Sequence, residues 1–267
     1  MSVNYTKIIE NVLNKSNKLI INSYNYQRQK ELGKGAFGDN QYQIDIVAEE
    51  AISSFIREYI PNCSIISEES GISHGKSNEP IILIDPLDGS LNAVKKIPFF
   101  SSAIAIAQGE NFSDIIAAGV SNILTGDIYL ANKNQSTKNN KLIKPSKITE
   151  LNLASIGIDL NIRSNNAIKS YKNMQSIFQK TKSQRILGSA ILENVFVATG
   201  NLDAYIAPSK QLRTFDCLPS IFIAKSSGAY VKFLENNKKI NLFSKNRVSY
   251  ILASTKKLGN AILKEIF

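Results

Sequence analysis

A run of four aliphatic residues, Ile81-Ile82-Leu83-Ile84, passes without a break into Asp85-Pro86-Leu87-Asp88-Gly89-Ser90. The apolar run is short and rich in β-branched side chains, so it reads as a buried strand that other layers must cover. It ends in two carboxylates three positions apart, with a proline fixing the turn between them. Taken alone, Asp-Pro-Leu-Asp-Gly is also a plain turn sequence, because Asp, Pro and Gly are the commonest turn formers. The stronger reading is electrostatic. Two aspartates leaving one hydrophobic strand repel each other unless a cation lies between them. Oxygen donors with no His or Cys nearby favour a hard ion, so Mg²⁺ is the expected metal, with the Leu87 carbonyl as a further oxygen. Gly89 and Ser90 then open a short helix, whose free N–H groups suit a phosphate.

Other chemistries are narrowed by what the chain lacks. His74 is the only histidine, which removes His-based triads and His-rich zinc sites. Cys63 and Cys217, far apart in a chain of 267 residues, read as buried or incidental thiols and not as a disulfide framework. Hydrolytic chemistry would therefore rest on carboxylates, hydroxyls and metal ions. No apolar run approaches the roughly 18 residues of a membrane span, and the polar start Met1 to Asn17 carries no signal-peptide core. A soluble cytoplasmic protein is expected. The net charge of +10 raises a nucleic-acid reading. The lysines are spread along the chain, however. The denser stretch Lys133, Lys138, Lys141, Lys144 and Lys147 is Asn- and Ser-rich, as in a solvated loop or hairpin tip. Nucleic acid ranks last among the partners, and the positive field would instead help gather an anionic substrate.

The length allows one large α/β domain or two intimately packed halves. Apolar spacing predicts a long amphipathic helix from Asn4 to about Glu31 and a second from about Ile44 to Tyr59, stopped by Pro61. Between them Gly33-Lys34-Gly35-Ala36-Phe37-Gly38 spells G-x-G-x-x-G. A long polar helix precedes it where a dinucleotide fingerprint needs a strand, so a flexible loop beside a site is expected. Cys63–Ser67 and Pro80–Ile84 read as buried strands, and Ser102–Ala107, Ile115–Val120 and Asp127–Leu130 as antiparallel ones. Beyond the polar stretch Asn132–Lys147, strands alternate with helices. Strands are expected near Leu153–Ile158, Gln184–Leu187 and Ala204–Ala207, and helices near Asn166–Lys180, Ala190–Thr199 and Asp216–Ser227, with a last helix from Thr255. The expected fold class is a layered α/β protein with mixed sheets. It divides into an N-terminal α+β half, 1–145, and a C-terminal α/β half, 146–267, within one compact unit.

Three more acidic places accompany the strand-end pair. Ser67-Glu68-Glu69-Ser70-Gly71 follows an apolar strand, and Asp45 lies near a helix start. Thr214-Phe215-Asp216-Cys217-Leu218-Pro219 puts an acid at a helix start with proline in the first turn. Each has a bland reading, as solvated loop charge, helix-dipole partner or N-cap. In this order, together with Gly188-Ser189-Ala190 and Asp203-Ala204-Tyr205, they resemble the inositol monophosphatase superfamily across essentially the whole chain. The pattern is nearest to the archaeal enzymes that act on both inositol phosphates and fructose 1,6-bisphosphate, and the D-P-L-D-G-S stretch carries most of it. The resemblance implies an α/β/α/β/α sandwich of the sugar-phosphatase type with mixed, largely antiparallel sheets. It also implies a homodimer and two or three Mg²⁺ ions. By the same resemblance Glu68, Asp85, Asp88, Asp216 and the Leu87 carbonyl hold metal, most of them in the N-terminal half. Ser90, with its carboxylate partner Asp45, and Glu68 activate and orient the attacking water. Asp88, Gly89, Ser90, Gly188, Ser189 and Ala190 meet the substrate, and Arg185 and Arg213 meet its anionic groups.

The chain departs from the family pattern at Phe37-Gly38-Asp39-Asn40-Gln41, where D-G-T-P-T is usual; this bears on the third metal. Ala93 replaces an aromatic, Leu218-Pro219-Ser220 replaces small residues, and Ala207 stands where a substrate-binding acid is often found. The activity implied is that of an Mg²⁺-dependent phosphoric monoester hydrolase acting on a small anionic sugar or polyol phosphate. Two alternatives accompany it. One is a 3′-phosphoadenosine 5′-phosphate phosphatase, for which no aromatic clamp for adenine stands out. The other is a catalytically impaired member acting as a binding protein.

Overall fold

The computed structural model describes residues 3–26, 30–36, 38, 40–76, 79–161, 164–235 and 239–266; Phe37 and Asp39, part of the departure from the family pattern, lie outside them. Two helices open the chain, α1 (Tyr5–Tyr26) and α2 (Gln43–Tyr59). Between them β1 (Glu31–Lys34) and β2 (Asn40–Tyr42) pair antiparallel. The first helix is thus shorter than expected, since Glu31 already pairs with Tyr42. Of the glycine-rich segment, Gly33 and Lys34 lie in β1, whereas Gly35, Ala36 and Gly38 belong to the connection between the two strands.

The next strands form one eight-stranded sheet. In chain order they are β3 (Ser64–Ser67), β4 (Gly71–Ser73), β5 (Ile81–Asp88), β6 (Ser101–Ala107), β7 (Ile115–Asn122), β8 (Ile128–Asn132), β9 (Ser136–Lys138) and β10 (Lys141–Leu142). Their order across the sheet is β10-β9-β8-β7-β6-β5-β3-β4, and only β3 and β5 run parallel. A second sheet of five, ordered β12-β11-β13-β15-β14, is built from β11 (Ser155–Ile158), β12 (Ser183–Arg185), β13 (Ala204–Leu212), β14 (Tyr230–Phe233) and β15 (Val248–Ala253). There β11 is parallel to both its neighbours and β15 antiparallel to both of its own. The remaining helices are α3 (Ser90–Val94), α4 (Asn165–Lys172), α5 (Gln175–Lys180), α6 (Ala190–Thr199), α7 (Leu218–Ser227) and α8 (Lys256–Ile266). The single helix expected over Asn166–Lys180 is therefore two, α4 and α5.

Side-chain alternation along β5 sets the layers. Ile82 and Ile84 join Ile9, Val12 and Leu13 of α1 and Ile52 and Ile56 of α2 in one core. Leu83 turns to the other face, into a core shared with Ile191, Leu192 and Val195 of α6 and Ile221 and Ile223 of α7. These two helices are apolar on nearly every side because a sheet covers each of them above and below. Tyr205, Tyr250 and Leu252 of the second sheet close that core. On the second sheet's outer face, Ile156, Ile206 and Ile251 meet Ile177 of α5 and Leu258 and Ile262 of α8. Each such aliphatic side chain contributes roughly 2 kcal/mol on burial. The stack is α/β/α/β/α, as the resemblance implied. Among the described residues no helix is long and apolar enough to cross a membrane.

One local difference shapes the site. The turn expected at Asp85–Asp88 is instead a bulge inside β5: Asp85 pairs with Ala103 and Asp88 with Ser101, so Pro86 and Leu87 together face Ser102. Pro86 has no N–H for the ladder and is tolerated at a bulge. Its carbonyl accepts the Ser102 hydroxyl at 2.6 Å.

Candidate active site

Strand register brings the acids together. In the parallel pair β3–β5, Ser67 lies beside Ile84. Glu68 and Asp85, each the next residue, therefore leave neighbouring strands about 5 Å apart. Asp216 arrives from the other sheet, between the end of β13 at Leu212 and the start of α7 at Leu218. Carboxylate oxygens of Glu68, Asp85 and Asp216 lie within 4.8 Å of one another. The Arg213 N–H donates to Asp216 Oδ2 at 2.7 Å and fixes its approach. Asp216 is not the N-cap of α7; Cys217 holds that position, with Pro219 in the first turn.

Asp88 ends β5 anchored on the N-terminus of α6. Its Oδ2 accepts from the Ser189 hydroxyl and, at 2.8 Å, from the Ile191 N–H. Ser189 is also the N-cap of α6 and accepts from the Leu192 N–H. Gly188, Ser189 and Ala190 thus lie beside Asp88 at the start of α6, next to the residues that line the cleft described below. Gly89 has a φ of +86°, and a Cβ there would lie 3.0 Å from the Phe99 carbonyl oxygen, so glycine alone lets the chain leave β5 in this direction. The Ser90 hydroxyl donates to the Leu87 carbonyl at 2.7 Å and sits beside the Asp45 carboxylate. Asp45 Oδ2 accepts the Tyr42 N–H at 2.6 Å. With the Ser90 proton turned to Leu87, the buried Asp45 Oδ1 makes no hydrogen bond among the described residues.

The charges resist one another. Burial, then the charge of Asp216, holds Glu68 well above the usual carboxylate range. Burial, then Glu68, Asp88 and Asp216, does the same to Asp85. Asp88 is pushed up to about 7 by burial, against the pull of the Ser189 hydroxyl and the Ile191 N–H. Burial raises Asp45 to about 6, against the Tyr42 N–H and the neighbouring Ser90 hydroxyl. A cation among these acids reverses such shifts, and a donor set made only of oxygen suits a hard divalent ion. The residues fit Mg²⁺.

Glu68, Asp85, Asp88 and Asp216 line a cleft of about 560 Å³ together with Lys34, Asn161, Gln211, Arg213 and Arg247. Arg213 is buried, with Nη1 3.8 Å from Glu68 Oε1 and the guanidinium 5.7 Å from the Phe215 ring centre. Arg185 is placed elsewhere. It is exposed at the end of edge strand β12, donates to the Gln184 carbonyl at 2.8 Å and does not line the cleft.

Asp159, Glu193 and Asn92, near the site, were not among the expected site residues. Asp159 follows β11, and burial, then Asp216, pushes its carboxyl up to about 6. The signal was present, because Ile158-Asp159 repeats the strand-then-acid pattern of Ile84-Asp85. Glu193 on α6, raised to about 8 by burial, accepts the Leu187 N–H at 3.2 Å. Asn92 holds the same turn from the other side, donating to the Leu187 and Phe99 carbonyls at 2.8 Å each. Gln41, at the family's threonine position, donates to Glu69 at 2.6 Å and ties β2 to the acidic turn.

Comparison with known proteins gives a consistent picture. A family model described as inositol monophosphatase family matches residues 3–266. The fructose-1,6-bisphosphatase/inositol-1-monophosphatase of Archaeoglobus fulgidus is 31% identical over 246 residues, covering 90% of this chain and 89% of its own length. The bifunctional NADP phosphatase/NAD kinase of Methanococcus maripaludis is 32% identical, covering 91% of this chain and 44% of its own length. Among solved structures, the extragenic suppressor protein SuhB of Bartonella henselae superposes over 98% of both chains with a TM-score of 0.86 at 21% identity, a likeness of fold.

Proposed function

The chain belongs to the inositol monophosphatase family, and from that premise we propose that it is an Mg²⁺-dependent phosphatase of small polyol or sugar phosphates, such as inositol 1-phosphate or fructose 1,6-bisphosphate. The observation that carries this reading is the approach of Glu68, Asp85 and Asp216 within 4.8 Å from three separate segments. Taking ionised carboxylates out of water costs several kcal/mol each, so a cluster of this kind calls for a counter-charge.

Glu68, Asp85, Asp216, the second carboxylate oxygen of Asp88 and the Leu87 carbonyl would hold the metal. Bound Mg²⁺ supplies Lewis acidity and a water of lowered pKa. The chain itself supplies position and charge. Glu68 orients the attacking water. The Ser90 hydroxyl, by turning from the Leu87 carbonyl to Asp45 Oδ1, links that water to a buried carboxylate able to take its proton. Lys34, Arg213 and Arg247 on the cleft wall offset the roughly two negative charges of a phosphate monoester. Direct attack by water needs no covalent enzyme intermediate, and positioning with electrostatics supplies most of the acceleration. In this reading 1–145 and 146–267 act as one catalytic unit, and the protein works as a cytoplasmic homodimer.

The test is phosphate release from inositol 1-phosphate and fructose 1,6-bisphosphate, with Mg²⁺ and with chelator. Release that requires Mg²⁺ is expected. Absence of release from every phosphate ester tried, with Mg²⁺ bound, would leave only a binding role. The name of the Methanococcus relative favours one second reading, removal of the phosphate of NADP. Competition among the sugar phosphates, NADP and 3′-phosphoadenosine 5′-phosphate separates these substrates.

A further inference from the structure

Glu49 takes no part in the chemistry above, yet it is buried, only 8% exposed, on α2. It lies four residues after Asp45 and so on the same face of the helix. Its carboxylate collects three hydroxyls. Ser67 donates to Oε2, and Ser70 and Ser53 each donate to Oε1 at 2.9 Å. Ser67 is the last residue of β3, and Ser70 immediately precedes β4. The two serines bracket Glu68 and Glu69, so one carboxylate ties both ends of the turn that presents Glu68.

The rest of that turn is also held. Gly71 turns the chain back with a φ of +81°. The Ala36 N–H donates to the Glu69 carbonyl at 3.1 Å, and Gln41 reaches the Glu69 carboxylate. None of these bonds uses the Glu68 carboxylate. Glu49 does not line the cleft, so it acts from behind the turn. An apolar side chain would fill this buried place without the cost of desolvating a charge. The acid therefore has a task other than packing, and its three bonds show where that task lies.

We infer that Glu49 is a positioning residue for Glu68, fixing the Ser67–Ser70 turn so that the Glu68 carboxylate stands ready beside Asp85 and Asp216. The inference rests on the reading of Glu68 as a metal ligand. It predicts that removing Glu49 weakens Mg²⁺ binding at a distance from the ion.

Titration calorimetry with Mg²⁺ alone, beside urea unfolding, tests this on the full chain and on Glu49→Gln, Glu49→Leu, Ser70→Ala and Glu68→Gln. Glutamine keeps one acceptor oxygen and offers its amide to a serine hydroxyl that can turn to accept it, so Glu49→Gln should stay within about threefold of wild type. Glu49→Leu keeps the bulk and loses all three bonds, and its Mg²⁺ affinity should fall about 10- to 100-fold, the range for groups that orient a ligand. Ser70→Ala should fall less, in the same direction. A glutamate that merely supported the fold would lower the unfolding midpoint in Glu49→Leu and leave the Mg²⁺ Kd of the folded protein unchanged; that result overturns the inference. If Glu49→Leu gives no cooperative transition, Ser70→Ala decides, and unchanged affinity counts against the proposal. Glu68→Gln separates the two claims. Unchanged affinity there removes Glu68 as a ligand and the inference with it. Weakened affinity there, with Glu49→Leu unaffected, removes the inference alone.

Discussion

Replacing Asp85 by asparagine is expected to stabilise the metal-free protein while abolishing its response to Mg²⁺. Asp85 stands within 4.8 Å of Glu68 and Asp216 through its carboxylate oxygens. At an effective dielectric constant of about 20, unit charges at that distance repel by about 3.5 kcal/mol per pair. Asparagine keeps the Oδ1 that accepts the Leu87 N–H at 3.1 Å, so the bulge retains its local bond. The effect has a pH window with a definite sign. Burial and then the neighbouring acids hold the Asp85 carboxyl well above its ordinary value, and Asp45 and Asp88 titrate at about 6 and about 7. A carboxyl raised by folding contributes stability below its unfolded pKa and loses it as pH rises through the folded value. The metal-free wild type should therefore weaken between about pH 4, where the unfolded carboxylates ionise, and about pH 7, and the variant should weaken less. Urea unfolding followed by circular dichroism, in chelator, measures both. At about pH 8 the variant should be more stable by about 1–3 kcal/mol, since shared protons relieve part of the full repulsion; below about pH 4, where the carboxyl is protonated in both states, the two should be about equal. Adding Mg²⁺ at about 100 times its Kd should then raise the wild type by about 2.7 kcal/mol and leave the variant unmoved. A variant less stable than wild type at the higher pH without metal would show that packing, and not repulsion, governs the cluster.

Three further outcomes follow from the same geometry. Ser189→Ala removes both the hydroxyl on Asp88 and the N-cap of α6; it should cost about 1 kcal/mol in a denaturant melt and roughly tenfold in Mg²⁺ affinity by calorimetry. Asp45→Asn keeps an acceptor for the Tyr42 N–H but cannot take a proton, so steady-state assays should show kcat down by about 10²–10⁴-fold while Mg²⁺ affinity changes little. Gly89→Ala forces a Cβ into a left-handed position 3.0 Å from the Phe99 carbonyl; the midpoint of unfolding should drop by an amount corresponding to at least about 1–2 kcal/mol.

Local patterning made much of this architecture legible. Ile81 to Ile84 announced β5, the apolar period announced α2, and Ala190–Thr199 was read with the bounds that α6 has. The strand-end acids Asp85 and Asp88 were legible because a charge directly after a buried run is physically anomalous. Their partner Asp216 was not reachable by spacing. Only the registry of two sheets brings it beside Asp85, and the family resemblance, not the residues around it, singled it out. The bulge at Pro86–Leu87 was hidden because its residues also make an ordinary turn, and the ladder to β6 decides between the two. Arg185 and Arg213 looked alike, each preceding a motif. Strand position distinguishes them, since β12 is an edge strand ending in solvent whereas Arg213 follows β13 into the cleft. Glu49 and Glu193 were overlooked for a further reason. An acid within a helix reads as solvent-facing unless the partners that bury it are known; those of Glu49 are Ser67 and Ser70 on another element, and that of Glu193 is the Leu187 N–H in the turn before its own helix.

The most direct measurement is anomalous diffraction from crystals grown with Mn²⁺, which accepts the same oxygen donors as Mg²⁺. Expected is at least one peak bound by Glu68, Asp85 and Asp216 together, with metal–oxygen distances of about 2.1 Å, slightly longer for the larger Mn²⁺. Full occupancy of Mn²⁺ at some other place, with these three carboxylates left apart and without a shared ion, would contradict the assignment of the site.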